Sequence, residues 1–302
     1  ACELPRGSFA LVRGMAPARS LVIDHRTRAG AFTGSAAGGR ALFDLAVSRP
    51  DPIPFFAELG SVNPVFVTPA GAADPDALAR GWVDSLLVRA GQMCTNPGLL
   101  VVPAGSAVAE RSAELLGAVE PGPLLTPGIA RAYLEHVGIV GAIDGASVLR
   151  APSAGRGATV SPGLIRLPAT AALAAIDEVQ TECFGPSGVV IEYSTPDEAL
   201  TLAERLHGTL VASVHGDAGE QLAAALVPAL ARIAGRVLWN GWPTGVAVVP
   251  AQQHGGPWPA TTNPQYTSVG AEAIHRFLRP VAYQDMPAVL LPPQLRDPDG
   301  AE

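Results

Sequence analysis

Hydrophobic and polar positions along the chain follow two different spacings. Short apolar runs, such as residues 99–103 and 209–214, predict strands that are buried in a sheet. Stretches with apolar residues three or four apart, such as residues 74–89 and 217–233, predict amphipathic helices, and Asp217 would cap the second of these. The alternation of such strands and helices predicts an α/β fold that contains a parallel sheet with right-handed crossovers.

The whole pattern divides into a series of predicted elements. Strands are predicted at residues 8–12, 29–33, 53–59, 64–68, 99–103, 147–149, 164–167, 188–192, 209–214, 236–239 and 281–283. Helices are predicted at residues 17–24, around residues 42–46, and at residues 74–89, 106–119, 126–137, 196–206, 217–233 and 271–278. The interval 241–267 is rich in glycine and proline and predicts a long ordered loop.

These elements predict a chain in three parts. Residues 1–58 form a first α/β unit, which is too small to enclose a core alone. Residues 59–262 form the second and larger α/β unit. Residues 263–302 would add a return helix, a late strand and a tail.

Composition and charge narrow the range of functions. Hydrophobic residues make up 48% of the 302 residues and charged residues 16%, which is typical of a packed globular enzyme. The net charge of -7 argues against nucleic acid as a partner, and no apolar run is long enough to cross a membrane. All 20 Lys and Arg residues are arginine, so chemistry that needs a lysine, such as a Schiff base, is excluded. The three scattered cysteines favour reduced thiols and a cytoplasmic location.

Two residues with side chains that could take part in catalysis, Cys94 and Glu58, lie in or next to predicted strands. Cys94 lies in the connection 91–97, between a helix and a strand, where a side chain can face a cleft. A thiol reacts as the thiolate and would need help from backbone N–H groups, a helix end or a base; the alternative is a buried structural cysteine. Glu58 belongs to an apolar extended run, and partial burial there would raise its pKa and suit a general base. The alternative for Glu58 is an ordinary solvated glutamate.

Two further stretches could contact a ligand. Glu182 and Phe184 precede a Gly-Pro turn, where a carboxylate and an aromatic ring could grip a ribose and a planar ring. The alternative is a turn with a surface glutamate. Gly34 and Ser35 lie between a strand and a helix, and N–H groups at a helix start favour phosphate. This pair is not the GxGxxG fingerprint and is weak evidence by itself.

The order of these stretches along the chain is more informative than any one of them. It is the order found in aldehyde dehydrogenases: Phe32-Thr33-Gly34-Ser35 with Gly39, Glu58-Leu59-Gly60 with Asn63-Pro64, Gly91-Gln92-Met93-Cys94, and Glu182-Cys183-Phe184-Gly185-Pro186. The chain therefore resembles the aldehyde dehydrogenase superfamily. Later strings resemble the branch that holds α-ketoglutarate semialdehyde (2,5-dioxovalerate) dehydrogenases and NADP-preferring fatty aldehyde dehydrogenases: Asn240-Gly241-Trp242-Pro243-Thr244-Gly245-Val246, His254-Gly255-Gly256-Pro257, Thr267-Ser268-Val269-Gly270 and Arg276-Phe277-Leu278-Arg279-Pro280.

The resemblance implies a set of residue roles. Cys94 would attack the aldehyde carbonyl to form a thiohemiacetal and then a thioester, and Glu58 would activate the water that hydrolyses the thioester. The cofactor would be NADP or NAD, and its binding residues would be Gly34, Ser35, Gly39, Leu59, Gly60, Glu182 and Phe184. His254 lies in the long loop that would line the active site; it would either assist the thiol or be structural. The resemblance implies no metal site.

The resemblance also implies an architecture. Residues 59–262 would form the catalytic α/β domain, and residues 1–58 would be the remaining part of a Rossmann-like cofactor domain. The family forms homodimers or homotetramers through a late strand, here expected at residues 279–284. In this family about the first third of the chain lies before the position of Ala1, so the chain alone is expected not to oxidise aldehydes.

Two other hypotheses from different classes remain open at this stage. The chain could be a non-catalytic remnant of the same fold, observed only as a folded body. It could also be a cofactor-independent thiol esterase that uses Cys94 and Glu58. Ester turnover without nucleotide would distinguish the esterase from the dehydrogenase, and a stable fold without either activity would indicate the remnant.

Overall fold

The structure, a computed structural model, describes residues 5–296. Its first elements form a small unit: helix α1 (Met15–Ile23), strand β1 (Gly30–Thr33), helix α2 (Ala36–Val47) and strand β2 (Phe55–Glu58). The two strands pair in parallel as a separate two-stranded sheet. Ser35 starts α2, because its hydroxyl accepts a hydrogen bond from the Gly38 N–H at 3.3 Å.

The larger unit follows as a longer series of helices and strands. Its elements are β3 (Val65–Val67), α3 (Pro75–Leu86), β4 (Leu99–Pro103), α4 (Val108–Gly117), β5 (Gly122–Pro123), α5 (Pro127–Gly141), β6 (Ser147–Arg150), β7 (Thr159–Val160), β8 (Gly163–Pro168), α6 (Ala169–Ala174), α7 (Ile176–Val179), β9 (Ser187–Tyr193), α8 (Pro196–Arg205), β10 (Thr209–His215), α9 (Gln221–Ala231) and β11 (Ala234–Trp239). Short 3₁₀ helices lie at Val88–Gly91, Ala271–Phe277, Ala288–Leu290 and Pro293–Leu295.

Seven of these strands form one sheet with helices on both faces. The strand order is β11-β10-β3-β4-β9-β8-β6, and all neighbours are parallel except β6 and β8. Val65 and Val67 of β3 pack with α3 and α4 on one face, whereas Phe66 packs with α8 and α9 on the other. This strand is buried on both faces, which explains why its sequence is an unbroken apolar run. The α/β fold predicted from the sequence is confirmed.

The long loop between β11 and the helix at 271–277 connects the seven-stranded sheet to the β1–β2 sheet. It contains no helix or strand, as predicted. Thr262 Oγ1 donates to the Phe55 carbonyl and accepts from the Ala57 N–H, both at 2.8 Å. Thr261 forms a bridge with Glu58, and the Leu59 N–H donates to the Ala260 carbonyl at 2.8 Å. The loop therefore runs beside β2 and brings its own side chains to the end of that strand.

Several predicted elements were wrong. Residues 8–12 form no strand, and Phe9 and Leu11 are 82% and 71% exposed, because no neighbouring strand covers them in the described chain. Helix α9 begins at Gln221 with Glu220 at the N-cap, since Asp217 instead closes a turn by accepting from the Gly219 N–H. Residues 279–284 are not a strand in the single chain that the structure describes. Helices α6 and α7 were not predicted. The division at residues 58 and 262 stays a prediction.

No helix within residues 5–296 has the length and apolar character that a membrane span requires. Cys2 lies outside the described residues.

Candidate active site

The connection from α3 to Cys94 is a tight left-handed turn. Arg89 and Ala90 have φ of 52° and 55°, and Gly91 has φ of 73°. A Cβ on Gly91 would lie 2.1 Å from the Gly185 carbonyl oxygen, so glycine is required both by its φ and by this close approach. The turn is therefore locked against the Gly-Pro turn that follows Glu182, and it delivers Cys94 next to that segment.

The side chain of Asn63 holds the loop that carries Cys94 in place. Its side chain is fully buried, and Nδ2 donates to the Cys94 carbonyl at 2.9 Å and to the Asn96 carbonyl at 2.8 Å. Its Oδ1 accepts from Ser61 Oγ at 2.7 Å and from the Val211 N–H at 3.2 Å. Every hydrogen-bonding group of the amide is used, so the position of the Cys94 backbone is fixed relative to the sheet. Sequence reasoning included Asn63 in a motif but gave it no role.

The side chains of Cys94, His254 and Glu58 meet in one cluster. His254 Nε2 lies 3.5 Å from Cys94 Sγ and 3.2 Å from Glu58 Oε1. Glu58 and His254 are buried, with 6% and 4% exposure, whereas Cys94 is partly exposed. The thiol therefore faces an opening while the imidazole and the carboxylate lie behind it. This is the mutual arrangement of a nucleophile, a base and a group that orients the base.

Two hydroxyl side chains, which sequence reasoning gave no role, hold the cluster together. Ser268 Oγ lies 2.7 Å from Glu58 Oε2, to which it can donate, and 3.0 Å from the His254 carbonyl oxygen. The His254 N–H donates to Thr267 Oγ1 at 3.0 Å. Both residues were part of a motif string, but their contacts depend on how the chain after the long loop folds back. The spacing of residues along the sequence does not predict how this part of the chain folds back.

Electrostatics in the cluster differ from the prediction for Glu58. Burial raises the pKa of Glu58, but the hydrogen bonds from His254 and Ser268, with the nearby His254 and Cys94, outweigh burial and bring the pKa below its ordinary value. The predicted rise was wrong, because the sequence does not reveal these donors. The carboxylate is therefore ionised at neutral pH and can accept a proton.

The thiol of Cys94 has the opposite perturbation. Burial raises its pKa to about 12, with further increases from the charges of Glu58 and Glu182, against a small lowering from the Cys94 backbone N–H. Backbone N–H groups alone are therefore insufficient to generate a thiolate near neutral pH. Two side chains lie close enough to the sulfur to take its proton: His254, whose Nε2 is 3.5 Å away, and Glu58, whose hydrogen bond with the thiol also raises the pKa of Cys94.

Glu182 and Phe184 lie beside this cluster. A Cβ on Gly60 would lie 3.2 Å from Glu182 Oε2, and the Ser61 N–H donates to the same carboxylate. Burial, followed by the charge of Glu58, raises the pKa of Glu182 to about 7 despite that hydrogen bond. Phe184 and Glu182 line one cleft together with Met93, next to the nucleophile candidate. Cys183 is separate from the cluster, because its sulfur accepts from Ser187 Oγ at 3.2 Å.

The other predicted cofactor residues lie at the start of α2. Gly34 and Ser35 are exposed, and the first turn of α2 carries no acidic side chain that would oppose an anion. A Cβ on Gly39 would lie 2.1 Å from Leu59 Cδ2, so the absence of a side chain lets Leu59 pack on the helix. The seven predicted residues thus form a continuous path from an exposed helix N-terminus, through Leu59 and Gly60, to Glu182.

Two arginines, also missed from the sequence, fix the segments around the cluster. Arg236 donates to the Pro243 and Gly245 carbonyls at 2.7 Å and 2.6 Å. Arg276 donates to the Tyr266 carbonyl at 3.0 Å and lies over the Phe56 ring. Their partners are backbone carbonyls, which no residue-type pattern identifies. Each keeps a buried Nε without a hydrogen-bond partner within the described residues.

Comparison with known proteins identifies the family. The sequence model of the aldehyde dehydrogenase family matches residues 1–279, so the chain belongs to this family. It is similar to α-ketoglutaric semialdehyde dehydrogenase 2 of Azospirillum brasilense, with 43% identity over 303 residues, 97% of this chain and 57% of that protein. The α-ketoglutaric semialdehyde dehydrogenase of Acinetobacter baylyi is 38% identical over 300 residues, with the same coverage of 97% and 57%. The chain thus spans 57% of the length of these curated relatives.

Solved structures show the same fold. Aldehyde dehydrogenase C from Pseudomonas syringae, crystallised with NAD+ and octanal, superposes with a TM-score of 0.74 at 21% identity, over 89% of this chain and 55% of that one. PnpE in complex with nicotinamide adenine dinucleotide gives a TM-score of 0.71 at 23% identity, over 86% and 53% of the two chains. The predicted aldehyde dehydrogenase-like fold is confirmed.

Proposed function

We propose that the protein oxidises an aldehyde to a carboxylate with NADP or NAD by covalent catalysis at Cys94. The observation that carries the proposal is the position of His254 Nε2, within reach of both Cys94 Sγ and Glu58 Oε1. A thiol whose pKa is raised to about 12 is a poor nucleophile, so its reaction requires a base in contact with it.

The single Nε2 atom has a different role in each tautomer: with its proton on Nε2 the ring donates to Glu58, and with the proton on Nδ1 the Nε2 lone pair faces the thiol. In the first step the second tautomer accepts the thiol proton at Nε2 as the sulfur attacks the aldehyde carbonyl. Nε2 faces both Cys94 and Glu58, so the imidazolium that forms donates the same proton towards the Glu58 carboxylate. The negative charge of Glu58 stabilises the imidazolium. The Cys94 backbone N–H, which already lowers the pKa of the thiol, would hold the oxyanion of the thiohemiacetal.

In the second half of the reaction Glu58 acts on water. Bound NADP or NAD would supply the hydride acceptor that converts the thiohemiacetal to a thioester. Glu58 is ionised and buried, and Ser268 holds its Oε2 at 2.7 Å. Its Oε1 lies 3.2 Å from His254 Nε2, and this oxygen would take a proton from water. Hydroxide adds to the thioester carbonyl, the carbon–sulfur bond breaks, and the carboxylate product leaves. The departing thiolate regains its proton from the His254 imidazolium, and Glu58 releases the proton of the water to solvent.

The cofactor would lie along the path of predicted binding residues. The N–H groups at the start of α2, with Ser35, would bind the pyrophosphate, and the absence of an acidic residue in the first turn supports this. Glu182 would accept hydrogen bonds from the ribose hydroxyls, and Phe184 would pack against the nicotinamide. Gly34 and Gly60 would let the backbone approach the ligand closely, and the contact between Gly39 and Leu59 would hold these two segments together.

We propose a semialdehyde with a distal carboxylate, such as α-ketoglutarate semialdehyde, as the substrate. The names of the two relatives support this class. Arg236 acts electrostatically on Cys94 and Arg276 on Glu58, and both are partly desolvated cations near the reacting atoms. Their positive charge favours an anionic substrate over a neutral one. The assembly would be a cytoplasmic homodimer or homotetramer.

The test measures the formation of reduced nicotinamide by the full-length protein with α-ketoglutarate semialdehyde and with a neutral aldehyde of equal length. Both NADP and NAD are supplied, and Cys94→Ala is the control. We expect turnover with the semialdehyde, weaker turnover with the neutral aldehyde and none in the variant. Turnover that survives Cys94→Ala would contradict the covalent mechanism, and no turnover with any aldehyde would contradict the function.

A second candidate function is cofactor-independent thioester or ester hydrolysis. The arrangement of Cys94, His254 and Glu58 contains every group that acyl transfer needs, since the nucleophile, its base and the water-activating carboxylate are all present. Hydrolysis of an activated ester at equal rates with and without nucleotide, together with no aldehyde oxidation, would favour it. A stable fold with neither activity would indicate a non-catalytic remnant.

A further inference from the structure

We infer that Glu58, Cys94 and His254 form a reversible binding site for a soft divalent cation such as Zn²⁺, and that the cation holds the protein in an inhibited state. The site uses one carboxylate oxygen, one sulfur and one imidazole nitrogen, and these three atoms all lie within 4.8 Å of one another. The inference goes beyond the proposed function, because binding can be measured without any turnover.

The distances agree with those between ligands of tetrahedral zinc. Zinc bonds to sulfur at about 2.3 Å and to nitrogen and carboxylate oxygen at about 2.0–2.2 Å, which places sulfur and nitrogen about 3.6 Å apart and nitrogen and oxygen about 3.4 Å apart. Cys94 Sγ and His254 Nε2 are 3.5 Å apart, and His254 Nε2 and Glu58 Oε1 are 3.2 Å apart. The third pair, Cys94 Sγ and a Glu58 oxygen, lies within 4.8 Å, against about 3.6 Å between the sulfur and oxygen ligands of tetrahedral zinc, so a cation can bind after a movement of about 1 Å.

The ligand types select the class of cation. A thiolate and an imidazole suit Zn²⁺ and similar soft or borderline cations, whereas Mg²⁺ and Ca²⁺ prefer sites made of oxygen. Three protein ligands leave a fourth position for water, and partial exposure of Cys94 gives a route of entry.

The surroundings of the ligands indicate an exchangeable cation. Ser268 Oγ already holds Glu58 Oε2, which leaves Oε1 directed at the cluster. In contrast, His254 Nδ1 is buried without a hydrogen-bond partner in the part of the chain that the structure describes. Resident metal sites almost always orient a histidine ligand through its second nitrogen. The absence of that support on His254 argues for a site that releases its cation.

Binding would remove every catalytic group at once. The cation coordinates Cys94 as the thiolate, so the thiol proton passes to solvent and no oxidation or reduction occurs. The same cation occupies the His254 lone pair and the Glu58 oxygen. Without a free nucleophile or base, acylation of the thiol stops until a chelator removes the cation.

The test titrates the reduced protein, kept in a phosphine reductant, with Co²⁺ as a spectroscopic substitute for Zn²⁺. We expect one equivalent of Co²⁺ to produce a near-ultraviolet thiolate-to-cobalt band and visible bands of tetrahedral cobalt, and Zn²⁺ to displace it. Iodoacetamide labelling of Cys94 should be blocked by Zn²⁺ and restored by a chelator. Absence of the thiolate band in the unmodified protein would overturn the inference whatever the variants do.

Variants identify the ligands. Loss of an outer partner of a metal ligand weakens binding roughly 10- to 100-fold, so we expect Ser268→Ala to fall in this range and His254→Ala to weaken binding about 100-fold or more. Cys94→Ser should abolish the thiolate band, and Cys183→Ala should leave it unchanged. Circular dichroism of each variant shows whether it is folded. A thiolate band that persists in folded Cys94→Ser, or unchanged affinity in folded His254→Ala, would overturn the assignment.

Discussion

The Nε2 atom of His254 lies 3.5 Å from Sγ of Cys94. This contact changes the expected chemistry of the thiol, because burial raises the pKa of Cys94 to about 12 and the cysteine depends on an adjacent base. His254 comes from a loop that packs against β2, so the reactivity of Cys94 is tied to the path of that loop. The first prediction tests this dependence directly.

His254→Ala should slow the alkylation of Cys94 by iodoacetamide near neutral pH by roughly 10²- to 10⁴-fold, the usual contribution of a positioned base. Without the imidazole, the rate should keep rising with pH, since the pKa of the thiol lies far above neutrality. Mass mapping of labelled peptides measures Cys94 and Cys183 in one sample. Cys183 is the internal control, and its labelling should be slower than that of Cys94 in the unmodified protein and unaffected by the substitution. Equal labelling of Cys94 in variant and parent would show that His254 is structural.

Glu58→Gln should spare acylation of Cys94 but slow deacylation by roughly 10²- to 10⁴-fold, because the amide cannot take a proton from water. With an activated ester, which needs no nucleotide, the observable is a burst of released alcohol followed by a slow steady state. Glu135→Gln is the control for loss of a carboxylate, since Glu135 is exposed and lies outside the cluster. Equal loss of burst and steady state in Glu58→Gln would indicate a structural role for this residue.

Asn63→Ala should destabilise the protein by about 2–5 kcal/mol, because the Cys94 carbonyl loses its donor and the buried Val211 N–H loses its side-chain acceptor. Asn240→Ala is a matched control: both asparagines have positive φ, 45° and 48°, so the backbone cost is shared. Asn240 is exposed, and within residues 5–296 its amide bonds only Gly216. Urea unfolding of the two variants measures the difference. A similar loss of stability in both variants would mean that the buried hydrogen bonds of the Asn63 side chain contribute nothing beyond the effect of the backbone conformation.

Comparison of sequence and structure shows which helices and strands can be predicted from their local sequence alone. Strand β10 was predicted at residues 209–214 and observed at Thr209–His215, because a strand buried on both faces is an unbroken apolar run. Residues 8–12 have a similar apolar character but form no strand, since a strand requires a partner as well as a pattern. Helix α6 was missed because its alanine-rich sequence has no clear apolar period, and α7 because its four residues are too few to show one.

In the candidate site, too, some residues could be predicted from local sequence, whereas others depend on contacts between distant parts of the chain. Cys94, Glu58 and Glu182 were selected from local strings, and the structure brings their side chains close together. His254 was the residue that local reasoning left undecided, because it is 196 positions from Glu58 and its approach depends on the pairing of the long loop with β2. The lowered pKa of Glu58 could not be predicted either, since its donors His254 and Ser268 both come from distant parts of the chain.

Gly39→Ala should destabilise the protein by about 1–3 kcal/mol, because the new Cβ would lie 2.1 Å from Leu59 Cδ2 and force this buried side chain to move. Gly38→Ala is the matched control in the same helix. Its Cβ would meet Ser35 Oγ at 3.2 Å and leave the core untouched, so the helix propensity of alanine should make it neutral or stabilising by up to about 1 kcal/mol. Thermal unfolding measures both, and a Gly39→Ala protein as stable as Gly38→Ala would contradict the packing argument.

Glu182→Gln should stabilise the protein above neutral pH. Burial raises the pKa of Glu182 to about 7, from an ordinary value of 4.5, so the folded state keeps a proton that the unfolded chain has already lost. The contribution of Glu182 to stability is therefore present below pH 4.5 and lost as the pH rises through about 7. Glutamine does not titrate, and its carbonyl oxygen can still accept the Ser61 N–H.

The stability difference between Glu182→Gln and the parent should therefore be small near pH 5 and grow to as much as about 3 kcal/mol near pH 8, the free energy of a pKa difference of this size. Urea unfolding at a series of pH values measures it. Glu58 titrates in both proteins, and its effect largely cancels in the difference. Glu135→Gln removes an exposed carboxylate and should show no comparable dependence on pH. A Glu182→Gln protein that is less stable than the parent at pH 8, or a difference independent of pH, would show that the Glu182 carboxylate is stabilised in its ionised form.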